Sequence, residues 1–387
     1  MVSLHPQIKR NTLYTLLTAV LLIVIIQSCG KDPYVPKKDK PEEEKPYVPA
    51  ERVAGKVAIH YVTYYGTTIP DPKLITHINY AFAELYVSNN VYQGFKLQGK
   101  ESRFKSIVDL KHVNPDLKVL LSFTHLVSNA DNSQGGGFSA MAKTDEGRKA
   151  FAKDCLAFIE EWGIDGIDID WEFPGLSWSG HACDPAVDVE NHVLLMKQLR
   201  ATLGTKYLLT YAGYVMDKKS VSTGMRYIDI AGVNPYVDYV NVMTYDMDEQ
   251  PHHHSALRSA NAYYDCVRAV ANYTSAGVPP DKIVLGIPFY GRRSFSKSPT
   301  AISYKKILTM DQAVYKTDNW DNAASVPYVT TIADGKFYCG YDNQQSITLK
   351  GTWANGLGLK GMMCWEYDGD DAKGTLRKAV WEAVMKK

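Results

Sequence analysis

A chain of 387 residues can form one large domain or two ordinary ones, and 45% hydrophobic with 22% charged residues excludes a largely disordered chain. Lys+Arg (43) and Asp+Glu (42) nearly cancel, so no basic excess points to nucleic acid and no acidic excess to a polycationic partner.

The first segment is not expected to belong to the fold. Lys9 and Arg10 form a basic start, and the apolar run over 13–26 is shorter than the roughly 20 residues a spanning helix needs. It has the length of a signal-peptide core. The run ends in Ile26-Gln27-Ser28-Cys29-Gly30, which resembles the lipobox of bacterial lipoproteins with Ile26 in place of the usual leucine. That resemblance implies a signal peptide over 1–29, cleavage before Cys29 and a lipid on that cysteine. The alternative is an uncleaved amino-terminal anchor. Either way the expectation is an exported protein held to the membrane of the bacterial cell envelope. Residues 30–52 change to Lys, Glu and Pro, with Pro33-Tyr34-Val35-Pro36 echoed by Pro46-Tyr47-Val48-Pro49. Such a stretch cannot bury enough apolar surface to order itself and reads as a flexible tether.

From 53 to 387 short apolar runs alternate with helical stretches. Strands are predicted over 57–62, 77–83, 118–123, 164–171, 207–213, 238–244, 282–289 and 360–365. The clearest helix covers 145–162, with Phe151, Cys155, Phe158 and Trp162 at helical spacing and Gly163 placed to end it. Eight β units separated by helices suggest an α/β fold, a closed (β/α)8 TIM barrel. An open doubly wound sheet is the rival, weakened because no Gly-rich phosphate loop follows the first strand. The stretch between the seventh and eighth strands is too long for one connecting helix, so a small α+β insertion on the rim is expected over about 293–340. After the seventh strand it would wall one side of a cleft at the carboxyl ends of the strands. Cys155, Cys183, Cys266, Cys339 and Cys364 are odd in number, so at least one is unpaired within the chain, and no CxxC spacing suggests zinc or redox work. Cys155 and Cys364 sit in apolar patterns and are expected to be core thiols.

The informative segment is Asp165-Gly166-Ile167-Asp168-Ile169-Asp170-Trp171-Glu172. Alternate side chains of a strand share a face, so Asp168, Asp170 and Glu172 line up together and Ile167, Ile169 and Trp171 face the other way. Three carboxyls in a barrel interior are a poor choice for stability, because burial and like charge both oppose ionisation. A solvated acidic edge does not suit a segment whose other face is Ile-Ile-Trp. A functional carboxylate cluster does.

This octad matches the DGxDxDWE signature of glycoside hydrolase family 18, and Phe173-Pro174-Gly175 continues it in the chitinase manner. The resemblance extends over most of the chain beyond Val57. The segments 77–83, Met243-Thr244-Tyr245-Asp246, Gly286-Ile287-Pro288-Phe289-Tyr290-Gly291-Arg292 and Gly361-Met362-Met363-Cys364-Trp365 look like the family's second, sixth, seventh and eighth strands. The resemblance implies a retaining mechanism without an enzyme nucleophile, an exception to the two-carboxylate scheme. In it Glu172 is acid and then base, and the substrate's own acetamido oxygen attacks the anomeric carbon. Asp170 holds the acetamido N–H, Asp168 shares a proton with Asp170, and Tyr245 donates to the acetamido oxygen. Trp365 resembles the tryptophan of the cleft floor. Asp246 and Arg292 are expected to bond substrate. Met243, Tyr61, Phe82 and Trp171 are counted with the substrate-binding candidates, while Asp165 is read as structural, at the strand entrance.

Two departures stand out. Where the family has SxGG, this chain has Ser122-Phe123-Thr124-His125, which keeps a serine able to bond Asp168 but adds bulk at the cleft floor. After Asp246 comes Met247-Asp248-Glu249-Gln250 in place of the common aromatic-glycine sequence. Consecutive His252, His253 and His254 point in different directions without a partner at ligand spacing, and are read as a mobile loop rather than a metal site. No cofactor is expected. The implied partner is an N-acetylglucosamine-containing oligo- or polysaccharide such as chitin, acted on by a monomer. An endo-β-N-acetylglucosaminidase of N-glycan cores and a non-catalytic lectin are the alternatives.

Overall fold

The computed structural model describes residues 55–126, 137–177, 182–216, 227–259 and 263–385. The expected signal segment, Cys29 and the tether lie outside the described residues. In chain order the strands are β1 (Val57–Thr63), β2 (His77–Ser88), β3 (Val91–Leu97), β4 (Lys118–Thr124), β5 (Gly166–Asp170), β6 (Leu208–Gly213), β7 (Tyr239–Val242), β8 (Ile283–Pro288), β9 (Tyr290–Arg292), β10 (Ala301–Ser303), β11 (Tyr315–Asp321), β12 (Val326–Thr331), β13 (Phe337–Gly340) and β14 (Gly361–Trp365). The helices are α1 (Glu101–Val108), α2 (Phe138–Lys143), α3 (Asp145–Trp162), α4 (Asp188–Leu203), α5 (Ile230–Val233), α6 (Cys266–Ser275), α7 (Tyr304–Ile307), α8 (Gln344–Gly356) and α9 (Thr375–Met385).

The eight predicted runs become β1, β2, β4, β5, β6, β7, β8 and β14, paired in parallel in that order. β1 pairs with both β2 and β14, so the sheet closes on itself into a (β/α)8 barrel. Both sides of each barrel strand are covered, which is why these runs are continuously apolar rather than alternating. The helix expected over 145–162 is α3: Thr144 caps it by accepting from the Gly147 N–H, and Gly163 ends it at φ 62°, where a side chain would be strained. Its buried stripe includes Phe151, Cys155 and Phe158, and Phe95 and Phe123 meet it edge-to-face.

Two parts were not read in detail from sequence. β2 runs on past the barrel to Ser88 and turns back as β3, an antiparallel hairpin. The rim insertion begins at Tyr290 and is chiefly an antiparallel sheet of order β10-β9-β13-β12-β11, with one helical turn at α7. It is joined to the loop after β7 at several points. His253 Nε2 lies 3.1 Å from an Asp321 oxygen with its ring edge-on to the stacked pair of Tyr328 and Phe337, and Ser255 donates to Asp342 at 2.6 Å. Asp342 is also held by fully buried Lys350 of α8 at 2.6 Å. At the other end of the barrel Asp165 accepts from Lys111 at 2.5 Å and from the Val119 N–H at 2.8 Å, the structural role expected of it.

The five cysteines among the described residues are all free; four are buried and Cys183 is partly exposed. No helix of the described residues is long and apolar enough to cross a membrane.

Candidate active site

The register Ser122 opposite Asp168 opposite Thr210 puts these three side chains in one inward layer of the barrel. Asp168 is fully buried, and its two oxygens accept four hydrogen bonds: from Tyr61 (2.8 Å) and Ser122 (2.7 Å) on one, from Thr210 (2.6 Å) and Asn241 (3.2 Å) on the other. Burial pushes its carboxyl up and these donors oppose the shift. Among these bonds none joins Asp168 to Asp170, so the expected proton sharing between them is not what the structure shows. The sharing contact lies one step higher, where Asp170 is hydrogen-bonded to Glu172.

Asp170, two residues along on the same face, is raised well above the carboxylate range by burial and by the charges of Glu172 and Asp168. Its Oδ1 is buried without a hydrogen-bond partner among the described residues. Glu172 stands just past the end of β5. Burial pushes its carboxyl up to about 7, with the charge of Asp246 adding to the shift and the Asp170 hydrogen bond opposing it. Both neighbours of Glu172 are anchors. Trp171 is 1% exposed, stacked on Phe138 at 5.2 Å and edge-on to His192, while Phe173 packs on Tyr214 at 4.6 Å. Trp171 is therefore a core residue outside the barrel wall. Its place among the substrate-binding candidates is corrected by the same alternation that turns Glu172 inward.

Tyr245 follows β7. Gly286 of β8 makes room for its ring: a Cβ there would stand 2.9 Å from Tyr245 Cε1 and 2.5 Å from the Val242 carbonyl. Burial raises the Tyr245 hydroxyl well above its ordinary value, so it stays a donor, and among the described residues its hydrogen-bond partner is the Met363 sulfur at 4.0 Å. Asp246 takes a left-handed φ of 53°, a conformation Asp tolerates better than most residues. Arg292 grips it through Nε (2.8 Å) and a second nitrogen (2.6 Å), and His254 Nδ1 lies 3.2 Å from the same carboxylate. Burial would raise the Asp246 carboxyl, but His254 and Arg292 hold it below the usual range. Asp246 and Arg292 thus bond each other across the cleft wall. His254 is fully buried and His253 bonds Asp321, so these histidines are packed clamps and not the mobile loop expected. Among the described residues no group of three or more potential ligands could hold a metal.

The open space is a cleft of about 830 Å³ at the carboxyl ends of the strands. Asp170, Glu172, Tyr245, Asp246, Arg292, Met243, Tyr61, Phe82 and Trp365 all line it. Trp365 is half-buried, stacked on Phe82 at 5.6 Å and 26° and backed by Tyr61 at 5.5 Å. Sequence reasoning missed Tyr214, Tyr290, Glu366 and Phe295, which also line it. Tyr214 and Glu366 could have been found by their place just beyond β6 and β14. Phe295, on the insertion and 53% exposed, carries no such signal. Of the two unusual residues after Phe123, Thr124 lines the cleft while His125 does not.

The family description "Glycosyl hydrolases family 18" matches residues 57–370. Chitinase A1 of Niallia circulans is 26% identical over 95% of this chain and 62% of its own length. Chitinase 63 of Streptomyces plicatus is 31% identical over 73% of this chain and 48% of its own. The chain therefore spans only about half to three-fifths of these curated relatives. Among solved structures, a family 18 N-acetylglucosaminidase from Paenibacillus barengoltzii superposes with a TM-score of 0.70 at 29% identity, covering 85% of this chain and 100% of that one.

Proposed function

The chain belongs to glycosyl hydrolases family 18, and from that premise we propose that it is a retaining hydrolase of β-1,4-linked N-acetylglucosamine, cutting chitin or its oligosaccharides by substrate-assisted catalysis. One observation carries this reading. Three groups facing one cleft have unfilled hydrogen-bonding capacity: the Glu172 carboxyl, protonated up to about pH 7, Asp170 Oδ1 without a partner, and the Tyr245 hydroxyl with only a distant sulfur. A 2-acetamido sugar offers a matching set, namely a glycosidic oxygen to be protonated, an N–H to be accepted and a carbonyl oxygen to be donated to.

In the first step Glu172 gives its proton to the glycosidic oxygen as the bond from that oxygen to C1 breaks. The acetamido oxygen forms a new bond to C1, giving an oxazolinium ring. Asp170 accepts from the acetamido N–H through its free Oδ1, and Tyr245 orients the attacking oxygen. Water then gives a proton to the Glu172 carboxylate and attacks C1, opening the ring and restoring the acid with retained configuration. An enzyme nucleophile is disfavoured, because Asp246 already has both oxygens held by Arg292. Trp365, with Phe82 and Tyr61 behind it, offers an apolar face for the sugar at the cleaved bond.

Product analysis on chito-oligosaccharides of defined length, with a high-mannose glycoprotein beside them, tests the substrate. Release of glycans from the glycoprotein without turnover of the oligosaccharides would replace this reading by the endo-β-N-acetylglucosaminidase one. Glu172→Gln should cut turnover at least about a hundredfold while leaving oligosaccharide binding largely intact. Binding by a wild type that turns nothing over would favour the lectin. The apolar run and the lipobox-like sequence that ends it support export and a lipid on Cys29. Incorporation of labelled palmitate in a bacterial host, lost in Cys29→Ala, is the expected result.

A further inference from the structure

The strand ladder beneath the acid runs out before reaching it. β4 and β5 pair as far as Thr124 opposite Asp170, and β5 and β6 as far as Ile169 opposite Tyr211. The main-chain N–H of Glu172 lies past the last rung. It is accepted instead by a side chain, His125 Nδ1, at 3.3 Å. His125 is 5% exposed and stands behind Glu172, away from the cleft. An imidazole nitrogen accepts an N–H only when it carries no proton itself, so the ring hydrogen is on Nε2.

We propose that His125 is a positioning residue for Glu172: its imidazole supplies the rung that the ladder lacks and so fixes where the acid's carboxyl stands beside Asp170. The proposal rests on the hydrolase reading above for the role of Glu172, but not for the bond itself. Trp171 and Phe173 fix the side chains on either side of Glu172, each only 1% exposed. The peptide N–H between Trp171 and Glu172 is a further handle on how the acid's Cα is turned. A misplacement of about 1 Å at a reacting group can cost on the order of a hundredfold in rate. The two-glycine sequence from which this chain departs offers no side-chain acceptor at position 125. The bracing therefore uses a residue that the two-glycine sequence lacks, and it gives the extra bulk a use beside the cleft.

Two substitutions separate bracing from mere filling. Asn places an amide oxygen close to where Nδ1 stands, whereas Leu fills the volume without an acceptor. His125→Leu should lower kcat about tenfold with KM within about twofold, and should speed amide hydrogen exchange at residue 172 about tenfold. His125→Asn should recover most of both. His125→Gln, with its amide set one bond further out, replaces Leu should that variant fail to fold. Wild-type kcat and unchanged exchange in the Leu variant would overturn the proposal. So would an Asn variant as impaired as Leu in both readings. A wild type inactive on chito-oligosaccharides would remove the chitin reading instead, and the exchange measurement would still decide whether His125 holds the N–H.

Discussion

A carboxylic acid that must keep its proton near neutrality has to be shielded from water and from nearby positive charge, and Glu172 is. The consequence has a definite sign. As pH rises through about 7 the Glu172 proton is lost, so kcat/KM should fall on the alkaline side with a limb near that value, read from a pH–rate profile. Arg292 acts in the opposite sense on Asp246. In Arg292→Ala that carboxyl should move up from its depressed value and the cleft wall should loosen, raising KM about tenfold with a smaller change in kcat. The acidic triplet was legible because a strand has period two, and three carboxyls on one face of an otherwise apolar run have no structural excuse. The same rule should have kept Trp171 out of the cleft. Trp171 was counted with the substrate-binding candidates, but alternation turns it onto Phe138. Asp168 was read as a proton partner of Asp170. Of its four donors Ser122 of β4 was expected from the resemblance, while Tyr61, Thr210 and Asn241 come from β1, β6 and β7, which no sequence spacing brings together.

Barrel strands announce themselves because both faces are covered. β1, β4 and β14 fall within a residue or so of the runs read from sequence. β3 and β11 do not, since β3 opens on exposed Val91 and Gln93 and carries Lys96 in its buried half, while β11 is half-buried or exposed throughout and includes Lys316 and Asp318. Partnership in space, rather than local pattern, made them strands. The histidine segment shows the same limit: three consecutive histidines look like a loop until Asp246 of the same loop and Asp321 of distant β11 are brought against them. Between α8 and the loop after β7, the Lys350–Asp342 pair is buried on both sides. Lys350→Met should cost about 3–5 kcal/mol in denaturant unfolding, because Asp342 is left charged with only serine donors. The double variant with Asp342→Leu should recover most of that loss.

For the molecule as a whole, the striped core of the barrel and the small sheet on its rim are held by packing, hydrogen bonds and buried ion pairs. Ellman's reagent on the native protein should find one fast thiol among the five described cysteines, Cys183, and that phase should vanish in Cys183→Ser; the other four should react only on unfolding. None of these thiols is cross-linked, so nothing in the described fold records the redox state of the compartment where it matured. Activity should therefore be indifferent to dithiothreitol, and protein made in a reducing cytoplasm should equal protein recovered from an oxidising one. A chain of this kind can be unfolded, passed across a membrane and refolded without waiting for an oxidase to finish it.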